Sequence, residues 1–296
     1  MKKRTRLIVL SVVFVLLAVF ILTYVFVFPK ERISDVVYWK DSGTEFTMDV
    51  FKPRNSNKSA VIWIVSDGLY SSPEGISPLI AAPFTSQGFT VFMVVHGSVP
   101  SYNISQIVQQ LQRSVRYIRA NAEHFDIRSD KIGISGGSSG GHLALLLAGL
   151  GDDGNPEAED LIERTSSKLN AAAVVFPPTD FLNWGESDVT HIEARQMSDS
   201  DKIFGFDLSK SKEENENILK KYSPITYVNK NSPPTLVAHG NMDEVVPFQQ
   251  SERYIARCKE LGVTCKLISI PKGGHGLNTV RPAAPEIIKW YKEYLK

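Results

Sequence analysis

Only two of the 296 residues are cysteine, Cys258 and Cys265, and the six histidines are scattered. No Cys/His cluster has metal-ligand spacing, which excludes a zinc scaffold, and no metal or other cofactor is expected. The two cysteines lie seven positions apart, one in a helical pattern and one in a strand pattern. A disulfide and a pair of buried thiols both stay open. The chain also lacks an internal repeat and any low-complexity tract, so neither a solenoid nor a disordered segment is read. Charge of one sign is missing too: the net charge is +1, and Lys2, Lys3, Arg4 and Arg6 all precede the first apolar run. The rest of the chain is mildly acidic, which argues against nucleic acid as a partner. Hydrophobic residues make up 43% and charged residues 22%. That composition and length suit one α/β domain with a single large core.

One long hydrophobic run is present. Residues 7–28 are 22 positions without a charge, about 33 Å as a helix at ~1.5 Å per residue, enough to cross a hydrocarbon core of about 30 Å. The run is longer than the apolar centre of a cleaved signal peptide, and no small-x-small pattern precedes Pro29. An uncleaved signal anchor is therefore expected over residues 1–30, with a domain over residues 31–296. Four basic residues precede the span, and Lys30, Glu31 and Arg32 come after it. The positive-inside rule then puts the N-terminus in the cytoplasm and the domain outside, or secreted if the anchor is cleaved.

After the run, residues 33–39 and 44–51 read as strands joined by the turn Asp41-Ser42-Gly43. The pattern then alternates. Strands are expected at 60–65, 89–95, 131–135, 171–176, 235–239 and 264–270. Helices are expected at 73–87, 104–125, 139–150, 247–261 and 282–295. Apolar strands that alternate with helices predict a mostly parallel sheet with helices on both faces, where ligands collect at the carboxyl ends of the strands. About residues 179–230 the alternation lapses, and this stretch reads as an inserted cap.

Gly136-Gly137-Ser138-Ser139-Gly140 is a G-x-S-x-G directly between a strand and a helix. A nucleophile on such a strained turn needs small neighbours, and the turn sets the Ser139 N–H at a helix N-terminus, aimed at an oxyanion. A serine hydroxyl needs a base and an orienter for it. Asp243 comes after the strand at 235–239 and His275 after the strand at 264–270, in the order Ser, acid, His and on the same sheet edge as Ser138. His142 is read as a packing histidine. His96, just past the strand at 89–95, and Trp184, with Phe181 and Asn183 at the start of the cap, are candidate substrate-pocket residues.

With GGSSGGHLA at 136–144, HGNMDEVVP at 239–247 and GGHG at 273–276, the chain from about residue 60 onward resembles the α/β-hydrolase superfamily. The similar branch holds acetyl esterases, acetylxylan esterases and feruloyl-esterase-like proteins. The resemblance implies an α/β-hydrolase fold with an inserted cap, preceded here by the transmembrane helix. It also implies a Ser138–His275–Asp243 triad and a serine carboxylic ester hydrolase acting through an acyl-enzyme. The substrate it implies is a small-molecule or carbohydrate ester with a short, acetyl-type acyl group. Asn241 stands where the family often has Asp. Related esterases carry His-Gly-Gly-Gly after the first core strand, where this chain has Val65-Ser66-Asp67-Gly68. The backbone N–H groups of Asp67 and Gly68 are expected to join that of Ser139 at the oxyanion. A carboxylate at Asp67 opposes a developing negative charge unless it turns away. The competing readings are a prolyl-oligopeptidase-like serine peptidase, a lysophospholipase and a non-catalytic membrane-tethered binding protein.

Overall fold

The computed structural model describes residues 13–14, 29–185, 190, 203–204 and 209–295. The expected membrane span falls, but for Val13 and Phe14, outside the described residues, and so does much of the expected cap. Among the described residues no helix is long and apolar enough to cross a membrane.

Eight strands form one sheet: β1 (Glu31–Asp41), β2 (Thr44–Lys52), β3 (Ala60–Val65), β4 (Thr90–Val95), β5 (Ile132–Gly137), β6 (Ala171–Val175), β7 (Thr235–Gly240) and β8 (Cys265–Ile270). Their spatial order is β1-β2-β4-β3-β5-β6-β7-β8. β1 and β2 pair antiparallel across the expected turn, where Ser42 and Gly43 both take positive φ, as a two-residue hairpin demands. β2 is antiparallel to β4, and every pair from β4 to β8 is parallel.

Alternate residues of the core strands feed two separate cores, the period of two that strands impose. Ile62, Ile64, Phe92, Val94, Ile132, Ile134, Val174 and Val237 face one cluster. There they meet α2 (Ile104–Ala120), α3 (Ser139–Leu150) and α5 (Gln249–Glu260). Val61, Val91, Met93, Ala173, Val175 and Leu236 face the other, against α1 (Pro78–Thr85) and α6 (Leu277–Tyr294). α4 (Lys212–Tyr222) lies in the expected cap region behind a capping box in which Ser211 and Glu214 satisfy each other's backbone N–H.

Three helices differ from expectation, one of them α2, which ends at Ala120 rather than at residue 125 because Asn121 leaves the helical conformation. The stretch at 73–87 is a short 3-10 turn, Pro73–Gly75, followed by α1, because Pro78 opens a new helix at its first position. α6 starts at Leu277 rather than at Pro282, since the Gly276 carbonyl already accepts from the N–H groups of Thr279 and Val280.

The chain runs outward from β3 to β4 and then returns to β5 on the other side of β3, so the topological switch point lies between β3 and β5. Ser138 and the loop at 66–70 leave the sheet at that crevice. The start of the cap region is fixed by one buried amide. Gln250 Oε1 accepts from the N–H groups of Thr179 (2.9 Å) and Asp180 (2.7 Å), and its Nε2 donates to the carbonyls of Asp180 (3.1 Å) and Asn183 (2.7 Å). Gln250→Leu strands these buried groups, and urea unfolding should show a loss of about 2–4 kcal/mol. An unchanged midpoint contradicts that role.

Candidate active site

Ser138 sits between β5 and α3 with φ 53° and ψ −125°, outside the regions a non-glycine residue ordinarily occupies. Its neighbours make the turn feasible. A Cβ on Gly136 would lie 2.4 Å from the Gly140 backbone, and one on Gly140 would lie 2.9 Å from the Ile64 carbonyl. The Ser138 N–H donates to the Val175 carbonyl (3.0 Å), and its own carbonyl accepts the first helical bond, from the His142 N–H (2.9 Å).

The loops after β7 and β8 meet through a second glycine pair. A Cβ on Gly240 would lie 2.3 Å from the Gly273 backbone, and one on Gly273 would lie 2.9 Å from the Gly240 Cα. Across this contact the Met242 N–H donates to the Gly273 carbonyl (2.9 Å), and the Lys272 N–H donates to Asn241 Oδ1 (2.8 Å). Asn241 is thus a staple between the two loops.

That contact brings Asp243 to His275. His275 Nδ1 lies 2.8 Å from Asp243 Oδ2, and His275 Nε2 lies 2.9 Å from Ser138 Oγ. Three side chains from three strand ends form one hydrogen-bonded row. Asp243 Oδ1 accepts from the N–H groups of Val245 and Val246, each at 2.9 Å, while His239 Nε2 approaches Oδ2 at 3.3 Å. Burial alone would raise the Asp243 pKa. The hydrogen bonds from His239, His275, Val246 and Val245 outweigh it and hold the carboxyl well below the usual carboxylate range. The imidazole of His275 rests against Phe176, with 4.2 Å between ring centroids.

At the oxyanion position the expectation needs one correction. The Asp67 N–H is committed to the Tyr70 carbonyl (2.9 Å), and the Tyr70 N–H returns a bond to the Asp67 carbonyl (2.8 Å). This closed turn takes Asp67 out of the set of donors. Gly68, at φ +55°, remains, together with Ser139, whose N–H opens α3 and has no acceptor one turn back within the helix. Ser66 Oγ and Ser139 Oγ, 3.0 Å apart, tie the two loops together.

Two cavities meet at Ser138 and His275. One, of about 650 Å³, is lined by Trp63, Ser66, Asp67, Tyr70, Ser72 and Phe176 among others. The second, of about 420 Å³, is lined by Gly68, Leu69, Ser139, Phe181, Trp184 and Phe204 among others. Trp184 and Phe181 therefore reach the cavity as expected, whereas Asn183 turns its side chain to Asp180. His96 does not reach either. It is buried, its Nδ1 lies 2.7 Å from the Gly97 carbonyl, and burial pushes its pKa down to about 4. His142 packs on Phe181 and holds the Tyr222 carbonyl through Nε2 (2.7 Å), a structural part with a wall in the second cavity. Cys258 and Cys265 are free thiols, and burial pushes that of Cys258 up to about 12.

Because Asp243 binds its proton less readily when folded than when unfolded, its stabilising contribution is whole above the ordinary carboxylate range. It is lost as pH falls toward the folded value. Between about pH 5 and pH 3 the urea midpoint of the wild type should therefore fall more steeply than that of Asp243→Asn. Parallel slopes contradict the hydrogen-bonded carboxylate.

The fold recurs in known proteins. Residues 48–257 match the BD-FAE family. Esterase LipC of Mycobacterium tuberculosis (strain ATCC 25618 / H37Rv) is 23% identical over 67% of this chain and 48% of its own length, so the chain spans about half of that relative. A truncated carbohydrate esterase from gut microbiota superposes with a TM-score of 0.78 at 26% identity, over 90% of this chain and 97% of that one. An acetyl ester-xyloside bifunctional hydrolase from Caldicellulosiruptor lactoaceticus shares the fold with a TM-score of 0.72 at 21% identity, over 90% and 97% of the two chains. With the G-x-S-x-G turn, the paired glycine loops and more than half of its length inside the match, the chain belongs to the BD-FAE family of α/β-hydrolase esterases.

Proposed function

We propose that the protein is a serine carboxylic ester hydrolase in which Ser138, His275 and Asp243 are the catalytic triad. The observation that carries this reading is the continuous row Ser138 Oγ–His275 Nε2 and His275 Nδ1–Asp243 Oδ2, at 2.9 and 2.8 Å. Ser138 Oγ attacks the ester carbonyl as His275 Nε2 takes its proton. The tetrahedral oxyanion collects hydrogen bonds from the N–H groups of Ser139 and Gly68. Collapse expels the alcohol, which receives the proton from His275, and leaves an acyl-Ser138. Water, deprotonated by the same imidazole, then releases the acid. Asp243 holds the imidazole with its proton on Nδ1 throughout.

The substrate class proposed is a short-chain, acetyl-type ester whose alcohol is a small molecule or a carbohydrate. Likeness to the gut carbohydrate esterase supports it. So do two cavities that diverge from Ser138, one for each half of an ester. Residues 7–28 are proposed to hold the protein in a membrane with the catalytic domain on the extracytoplasmic side, or to be removed on secretion. β1 runs parallel to β4, so Glu31 lies level with the start of β4, at the sheet edge opposite Ser138. A six-residue strand separates the two edges by about 20 Å. Only Pro29 and Lys30 stand between the apolar run and β1, which supports a tethered domain whose cavities open away from the bilayer. This favours esters in the aqueous compartment over those of membrane lipids.

p-Nitrophenyl acetate should be hydrolysed faster than the octanoate, and Ser138→Ala should lower kcat by about a thousand-fold or more without loss of fold. A Ser138→Ala protein with wild-type activity, or faster cleavage of the octanoate, contradicts the corresponding half of the proposal. Protease added outside intact cells should release an active domain if it is tethered there, and complete protection contradicts that placement.

A further inference from the structure

His239 is the last residue but one of β7 and is fully buried, and the triad chemistry makes no use of it. Its Nε2 faces two acceptors, the Val246 carbonyl at 3.0 Å and Asp243 Oδ2 at 3.3 Å. In the neutral ring that nitrogen must carry the proton, because neither acceptor has one to give. Nδ1 is then an acceptor, and Ser251 Oγ lies 2.6 Å from it as donor. Ser251 is itself buried and stands on α5, so the packing of that helix on β7 sets the tautomer. The rings of Phe176 and Phe248 flank the imidazole at 6.4 and 5.4 Å between centroids. Among the described residues, the only cationic or titratable side chains in ion-pair reach of Asp243 are His239 and His275.

We propose that His239 is a positioning residue of this ester hydrolase: fixed by Ser251, it donates a second imidazole hydrogen bond to the carboxylate oxygen of Asp243 that orients His275. Two histidines thus share Asp243 Oδ2, one catalytic and solvent-reachable, one buried and held. The Val245 and Val246 N–H groups fix the other oxygen, so the carboxylate cannot rotate about its own axis. The donor from His239 also draws charge off the carboxylate, which lowers its hold on the Nδ1 proton of His275.

The proposal rests on the triad reading above, and its test separates the two. His239→Leu removes the donor and His239→Gln keeps one at about the same reach. With p-nitrophenyl acetate, His239→Leu should lose roughly ten- to a hundred-fold in kcat with KM little changed. Its acidic limb of kcat/KM should move to higher pH, and His239→Gln should recover most of both. The downfield proton resonance of His275 Nδ1 should shift in the Leu variant and return toward wild type in the Gln variant. A folded His239→Leu with wild-type kcat and acidic limb overturns the proposal. Equal losses in both variants at a wild-type limb also overturn it, since the ring then only fills space. Should His239→Leu fail to fold, Ser251→Ala decides, because a wild-type acidic limb there means the tautomer is not set by Ser251. Wild-type protein without hydrolysis defeats the triad reading instead, and the His275 resonance still decides the role of His239.

Discussion

The carboxylate of Asp243 is the point on which the site hangs. It is shut off from solvent yet accepts from two backbone N–H groups and the His275 imidazole, with His239 Nε2 a further 3.3 Å away, so that burial, which would neutralise a lone carboxyl, leaves this one charged. Each of its partners comes from a different part of the fold. The backbone donors come from its own turn, His239 from the last position but one of β7, and His275 from the loop after β8. The glycine contact between Gly240 and Gly273 holds those loops closer than any side chain would permit. An alanine at either position would meet the backbone of the opposite loop, between the turns that carry Asp243 and His275.

The other parts of the site depend on where the sheet puts its strand ends. At the β3–β5 switch point, the strained Ser138 turn and the loop at 66–70 face each other, tied by Ser66 and Ser139. Ser138 meets His275 on one side and the first amides of α3 on the other. Both cavities share Ser138 and His275 as a common wall, which is the geometry an ester needs if its acyl and alcohol halves are to diverge from one carbon. The aromatic wall of Phe181, Trp184 and Phe204 is carried by the cap region, whose first residues are held to α5 by Gln250.

The hydrogen-bonded row of Ser138, His275 and Asp243 was legible in the sequence because each residue belongs to a short motif at a strand end and the three occur in the order this fold requires. The core strands were legible for the same kind of reason: apolar runs bounded by turn residues leave few alternatives. What a linear pattern does not carry is the direction of a side chain past a strand end. His96 stands just past β4 on the same sheet edge, but its ring is buried, with Nδ1 against the Gly97 carbonyl, and reaches neither cavity. Asp67 sits where a donor was expected, but the bridge to Tyr70, a matter of loop conformation, consumes its N–H. His239 was in plain view four residues before Asp243. Their contact needs the turn closed by the Asp243 N–H on the Gly240 carbonyl (3.3 Å), which folds the chain back outside any helix. The start of α6 was obscured because Pro282 looked like a first helical residue, although the preceding turn had already begun the helix.

At the centre stands the claim that Ser138 is activated by His275 and no other base. Labelling the folded protein with a fluorophosphonate, with peptide mass spectrometry to locate the adduct, tests it most directly. The expected result is one phosphonylated residue, Ser138, with labelling slowed severely in His275→Ala. Modification of a different serine, or equal labelling rates in wild type and a folded His275→Ala, would contradict it.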